Sequence, residues 1–181
     1  MKLHLGCGPR NFGPEWIHID GGDFPHLHSN VITNLPFIDN SASIIYASHV
    51  FEYFDQDEAV SVLKEWRRVL RHGGILRLAV PDMYKMMFLY IEKGYEINRF
   101  LGPIYGKIKM DDKNIYHKTA YDRNSLTYLL EQNGFGDIKD WNWREVDHGN
   151  FDDCSQAYLP HMDKDNGVLI SLNLECVKYE F

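Results

Sequence analysis

LHLGCGPRNFGPEWIHID, residues 3–20, decides how the rest of this 181-residue chain is read. The apolar Leu3-His4-Leu5 breaks at Gly6-Cys7-Gly8-Pro9, and a second apolar run, Trp16-Ile17-His18-Ile19, ends on Asp20. Strand, glycine turn, strand, acid is how an open α/β sheet makes a nucleoside pocket. The crevice lies beyond the carboxyl ends of the strands, and an acid closing the second strand can hold a ribose. Gly6 and Gly8 let the backbone take positive φ and approach a ligand with no Cβ in the way. Gly-x-Gly alone is equally a plain turn, so its weight rests on Asp20 and on the residues downstream. Only eleven residues separate Gly8 from Asp20, and Pro9, Gly13 and Pro14 leave room for one helical turn at most. The first crossover helix is therefore expected to be shortened or missing.

Working outward, Gly21-Gly22-Asp23-Phe24-Pro25 reads as a loop. His26 and His28 read as loop histidines, since no Cys, Asp or Glu stands at ligand spacing around them, and no metal is expected. Val31-Ile32-Thr33 is expected as the third strand and residues 43–48 as the fourth, the latter apolar enough for burial on both faces. Asp55-x-x-Glu58 is a capping-box pair opening a helix, with Ala59, Val62, Leu63, Trp66, Val69 and Leu70 as its core stripe. Lys64, Arg67, Arg68 and Arg71 lie off that stripe as a solvated face. Gly73-Gly74 is expected to stop the helix, and residues 75–80 form the fifth strand before Pro81-Asp82.

Met83, Met86, Met87, Tyr90 and Ile91 repeat at helical spacing as a core or lid stripe, followed by irregular residues 94–118. Asp122 caps a second helix carrying Leu126, Leu129 and Leu130 and ending at Gly134. Residues 137–146 and 168–177 read as a closing antiparallel pair, and 148–166 as a polar loop of ordinary residues. The fold class is α/β, a Rossmann-like, mostly parallel sheet with a C-terminal antiparallel strand pair, in a single domain over residues 1–181.

The net charge is -7, from 19 basic and 26 acidic residues, with no basic run. That argues against a nucleic-acid partner. No apolar stretch is long enough to span a membrane and no signal peptide is evident. Cys7, Cys154 and Cys176 are scattered and odd in number, which reads as free thiols in a reducing, cytoplasmic compartment.

RVLRHGGILRLAVPD, residues 68–82, resembles the RVLKPGG-strand-PD signature of small class I S-adenosylmethionine-dependent methyltransferases, of the type 11 kind. LPFIDNSASIIYASHVFEYF, residues 35–54, is similar to that family's LPF-D-x-S-x-D-x-I-x-S-x-V-x-E-H segment. With the glycine motif and Asp20, the resemblance runs in order through residues 3–82. It implies S-adenosylmethionine as methyl donor and S-adenosylhomocysteine as product. Gly6, Cys7 and Gly8 would line the methionine part, Asp20 would take the ribose hydroxyls, and Gly21 would leave room for the adenine edge. Asn34 would meet the adenine amino group, Leu35 would cover an adenine face, and Ser48 and His49 would lie near the methionine amine. Residues 83–118 would build the acceptor pocket or lid. With the crossover helix missing, the donor's outer wall would come from residues 94–118 or from a second subunit in a homodimer.

Methyl transfer from a sulfonium is an in-line displacement that needs positioning and exclusion of water, with at most one proton removed. The absence of a conspicuous catalytic constellation fits such chemistry. Among the histidines His49, His117 and His148, His117 is the preferred general base. Tyr53 departs from the family pattern, which often has His there. A small-molecule or saccharide acceptor is expected from the aromatic residues of the variable segment. Two other readings are open. A nicotinamide dehydrogenase would want a third glycine where Asn11 stands. A non-catalytic binding or regulatory protein on the same fold would explain the truncated crossover.

Overall fold

The computed structural model describes residues 1–29, 31–110 and 112–179. Two short strands, β1 (Lys2–Leu5) and β2 (Trp16–Ile19), pair in parallel. β3 (Ala42–Ser48) then pairs in parallel on the other side of β1. Helix α1 (Gln56–Val69) leads into β4 (Leu70–Pro81), and after α2 (Met83–Lys93) and a variable segment come α4 (Arg123–Gln132), β7 (Phe135–Asp140) and β10 (Ser171–Lys178). Within the variable segment lie α3 (Leu101–Tyr105) and the hairpin β5 (Ile108–Met110) and β6 (Lys113–Ile115); a second two-stranded ladder joins β8 (Tyr158–Leu159) to β9 (Val168–Leu169). The main sheet runs β2-β1-β3-β4-β10-β7, parallel up to β4 and antiparallel beyond it. The chain leaves β1 toward β2 and returns to β3 on the opposite side, so the topological switch point falls between β1 and β3, where a doubly wound sheet opens its crevice.

Alternation along the strands makes two unlike faces. Leu3, Leu5, Ile19, Ile45, Ala47, Leu76, Leu78 and Leu174 face the main core, filled by Trp66, Leu63 and Val69 of α1 and Leu126 and Leu130 of α4. The capping box is formed: the Asp55 carboxylate accepts from the Glu58 amide at 2.9 Å, and Glu58 accepts from the Asp55 amide at 2.9 Å. The opposite face carries His4, Trp16, His18 and Tyr46. No helix separates β1 from β2, as expected, and loop residues cover this face in its place. Phe12 stacks on His4 at 4.0 Å between ring centroids and on His148 at 5.1 Å, and Tyr46 lies 4.2 Å from His148. The polar members of this layer are paired: Tyr46 donates to Asp153 at 2.5 Å, Arg77 to Glu175 at 2.9 Å, and the Trp141 indole to the Leu78 carbonyl at 2.9 Å. A polar-aromatic loop layer takes the place of the second helical layer.

Several expectations are corrected. Val31-Ile32-Thr33 is not a strand. The chain touches the edge of β2 earlier, in a single bridge between Ile19 and Ser29. The expected segment is held instead by α1 side chains: the Trp66 indole donates to the Ile32 carbonyl at 2.8 Å, and Glu65 accepts from the Leu35 amide at 2.7 Å. Arg68, read as part of a solvated face, donates to the Phe37 carbonyl and to Asp39 at 2.8 and 2.7 Å. Gly73-Gly74 does not end the helix. α1 stops at Val69 because Leu70 turns to ψ 133°, and the glycines lie in the irregular start of β4, where the register jumps from Ala42–Leu70 to Ile44–Ile75 and Gly73 takes φ +67°. On α2 the buried positions are Met86 and Leu89, whereas Met87, Tyr90 and Ile91 are exposed. The closing strands form with shifted bounds, β7 beginning at Phe135 and β10 at Ser171. Among the described residues no helix is long and apolar enough to cross a membrane.

Candidate functional site: a lidded crevice at the switch point

The carboxyl ends of β1, β2 and β3 open on one cavity of about 1830 Å³. Gly6 ends β1 at φ +65°, and a Cβ there would lie 1.9 Å from Val50 Cγ2, so both its conformation and the approach of the 48–50 turn demand glycine. Gly8 follows at φ +56° with its Cα open toward the cavity. Asp20 closes β2 and stiffens this turn: Oδ2 accepts from the Gly8 amide at 2.8 Å and Oδ1 from the Gly22 amide at 2.7 Å. Each carboxylate oxygen has two acceptor sites, so both keep one for hydroxyls arriving from the cavity that Asp20 lines.

His49, one residue past β3, sits at φ +51°, a conformation uncommon for a non-glycine residue. Its amide donates to the Ala79 carbonyl at 2.8 Å, and its Nε2 hydrogen-bonds Ser171 Oγ at 3.1 Å. Burial pushes its pKa down to about 3. Glu52 lies beneath it in a single 3-10 turn, Phe51–Tyr53, with its carboxyl fully enclosed and no hydrogen-bond partner among the described residues. The same Oε1 atom is 3.5 Å from His49 Nδ1 and 3.6 Å from His117 Nε2. An ionised carboxylate so placed would be desolvated and unpaired, and burial raises its pKa to about 8. His117 offers Nδ1 to the Pro103 carbonyl at 3.0 Å, which fixes Nδ1 as the protonated nitrogen, and its Nε2 turns toward Glu52.

The outer wall comes from residues within 99–110 and 114–118. Met110, at the end of β5, reaches back over Gly21: a Cβ on Gly21 would lie 2.2 Å from Met110 Cε. Leu101, Tyr105, Ile108 and Tyr116 line the cavity from the same segment. Tyr53 ties this segment down: its hydroxyl donates to the Gly106 carbonyl and its ring packs edge-on to His117 at 4.6 Å. The Lys118 amide donates to the Glu52 carbonyl at 2.9 Å. Of the two sources expected for the missing wall, the chain's own segment lines this side of the cavity.

Of the residues singled out in the sequence, Gly6, Gly8, Asp20, Gly21, Ser48, His49 and His117 line the cavity. Cys7 is buried beneath the turn, its thiol 3.7 Å from His26 and its pKa pushed up to about 12 by burial. Asn34 is exposed and Leu35 packs into the main core; the residues that reach the cavity there are Val31, Ile32 and Thr33. His148 stacks in the aromatic layer, 3.3 Å from the Arg77 guanidinium, and burial and that guanidinium push its pKa down to about 4. The sequence reading missed Arg10, Cys154, Tyr158, Leu159 and His161 as lining residues. Arg10 was visible beside the glycine turn; residues 154–161 carry no local signal and arrive through β8.

Residues 14–78 match the methyltransferase-domain family. The matched stretch runs from β2 into β4 and begins after the glycine turn. Solved structures align along nearly the full chain. A S-adenosylmethionine-dependent methyltransferase of Archaeoglobus fulgidus aligns with 97% of this chain and 85% of its own, at 16% identity and a TM-score of 0.57. One from Methanosarcina mazei aligns over 98% and 92%, also at 16% identity and 0.57. A Burkholderia thailandensis 1,6-didemethyltoxoflavin-N1-methyltransferase, solved with 1,6-didemethyltoxoflavin and S-adenosylhomocysteine bound, aligns over 98% and 70% at 11% identity and 0.56. The fold is that of the class I methyltransferases. No curated protein matches the chain. Within the class I methyltransferase fold, the crevice between β1 and β3 is where the sheet itself places a ligand site, and here the glycine turn, Asp20 and the lid converge on it.

Proposed function

We propose that this chain transfers a methyl group from S-adenosylmethionine to a small-molecule or saccharide acceptor. The observation that carries the reading is the convergence of the left-handed Gly6–Gly8 turn and the tethered Asp20 on one cavity, in a chain whose residues 14–78 match the methyltransferase family. The residues fit such a donor. Asp20 retains acceptor sites for ribose hydroxyls, the glycine turn presents bare backbone, and Ile32, Thr33 and Met110 supply apolar walls for a base. The donor, when bound, supplies a sulfonium whose methyl is already activated for in-line displacement. The chain's part is to hold it, to orient an acceptor beneath the lid and to exclude water.

His117 is the residue we test as a proton acceptor. Its basic Nε2 faces Glu52 and Gly106 in this closed arrangement, so its first service is to hold the lid. Positioning alone suffices for an acceptor that arrives deprotonated. The wall made by residues within 99–110 and 114–118 supports a site complete within one subunit, and the free thiols of Cys7, Cys154 and Cys176 support a cytoplasmic location.

Titration calorimetry with S-adenosylmethionine and S-adenosylhomocysteine tests the proposal. One-to-one binding is expected, and Asp20→Ala should weaken it by roughly 1–3 kcal/mol, the size of a lost charge-assisted hydrogen bond. Asp20→Asn, which keeps a carbonyl for one of the two backbone amides, should fall between. Failure of the wild-type protein to bind either compound contradicts the enzyme reading and leaves a non-catalytic use of the fold.

A further inference from the structure

The acceptor's half of the cavity has a charge pattern at odds with the acidic chain around it. Arg99, Lys107 and Lys109 line it from three successive pieces of the lid: the 3-10 turn Ile97–Arg99, the link after α3, and β5. Among the described residues none of the three has a carboxylate partner, and the Arg99 guanidinium only overlies the Tyr95 ring at 5.7 Å. Several cations elsewhere are paired: Lys2 with Asp147, Arg68 with Glu65, Arg77 with Glu175, Lys164 with Asp152. Lys118, which also lines the cavity, is paired with Glu58 at 2.7 Å. Glu58 and Asp20 are the carboxylates among the described lining residues; the first is taken by Lys118 and the second by the Gly8 and Gly22 amides at the donor end. Arg99, Lys107 and Lys109 are exposed on the lid side of the cavity, and Arg10 at the glycine turn is a fourth lining cation without a carboxylate partner among the described residues, in a chain of net charge -7.

We propose that the acceptor carries an oxyanion, a carboxylate or a phosphate, held by Arg99, Lys107 and Lys109. This rests on the methyl-transfer reading and adds the substrate class to it. A sulfonium donor brings a net positive charge into the same cavity, so an acceptor that is neutral or cationic would leave it and the lining cations without a counter-charge, whereas an anion supplies one. The remainder of the acceptor is apolar, because the cations are interleaved with Leu101, Tyr105, Ile108 and Tyr116. Register places the oxyanion near the hairpin: Lys109 stands opposite Asn114, itself a lining residue and a ready hydrogen-bond donor.

The test uses the full chain saturated with S-adenosylhomocysteine and three probes that share one ring: benzoate, phenyl phosphate and benzyl alcohol. Calorimetry should show at least one anion binding about tenfold or more tightly than the alcohol, with the preference shrinking as salt rises. The benzoate and phenyl phosphate arms decide between carboxylate and phosphate. In the Arg99→Gln, Lys107→Gln, Lys109→Gln triple variant the preference should fall to about twofold or less while S-adenosylhomocysteine affinity is kept, which also shows that the variant is folded. Equal binding of the alcohol and both anions overturns the proposal, as does failure of all three probes to bind the loaded protein. Loss of S-adenosylhomocysteine binding by the wild type would strike the methyl-transfer reading instead.

Discussion

Glu52 is where burial, charge and function meet in one side chain. Its carboxyl titrates at about 8 in the folded chain against an ordinary 4.5, so the folded state keeps a proton that the unfolded state releases. The stability it contributes is complete below pH 4.5 and is lost as pH rises toward 8. His49 acts on the acid side. Its folded value of about 3 against 6.5 means that the unfolded chain takes up the proton first, so stability falls as pH drops below 6.5. Burial shifts His117 in the same direction. Glu52→Gln should therefore raise the melting temperature at pH 8 relative to wild type and leave it nearly unchanged at pH 4.5. Thermal unfolding at the two pH values checks this, and an equal loss at both would show that the carboxyl is not buried neutral. The position of Asp20 was legible at this scale, since an acid closing the second strand after a glycine turn falls at the carboxyl ends of the strands, where the cavity opens. Asn34 and Leu35, assigned by the family resemblance, do not line the cavity: Asn34 is exposed and Leu35 packs into the main core.

The element that explains most is the one that is missing. Eleven residues between Gly8 and Asp20, with two prolines, rule out a crossover helix, and that absence was readable. What replaces it was not. Phe12, His148 and Trp141 come from distant parts of the chain to cover His4 and Tyr46, and no local pattern announces such a layer. Phe12→Ala should cost about 2–3 kcal/mol in chemical denaturation, somewhat below a fully enclosed Phe because its ring is half-buried. A cost under about 0.5 kcal/mol, typical of an ordinary surface change, would show that the loop layer does not stand in for a helix. The lid is a second such element. Gly106 takes φ +51° and a Cβ there would lie 1.8 Å from His117 Nε2, so Gly106→Ala should detach residues 94–118. Faster proteolysis within that segment, with the sheet intact by circular dichroism, is the expected result; unchanged cleavage would mean that the ring simply moves aside.

For the whole molecule, strand order follows from short-range signals that were mostly sound: the capping box of α1, the apolar runs of β3 and β4, and the antiparallel closing pair. The failed third strand shows the limit. A β-branched triplet is compatible with a strand, yet Trp66, Glu65 and Arg68 offer its neighbourhood other partners from a helix some thirty residues on. A cavity walled by one chain predicts S-adenosylhomocysteine affinity independent of protein concentration. Affinity that rises with concentration, alongside a dimer in sedimentation, would mean that a second subunit completes the site.

The most direct measurement is a crystal structure of the protein with S-adenosylhomocysteine. The ribose should rest on Asp20, the methionine part along Gly6 and Gly8, and the adenine between Ile32 and Met110. A ligand bound elsewhere, or one that leaves Asp20 untouched, would contradict the assignment of this crevice as the donor site.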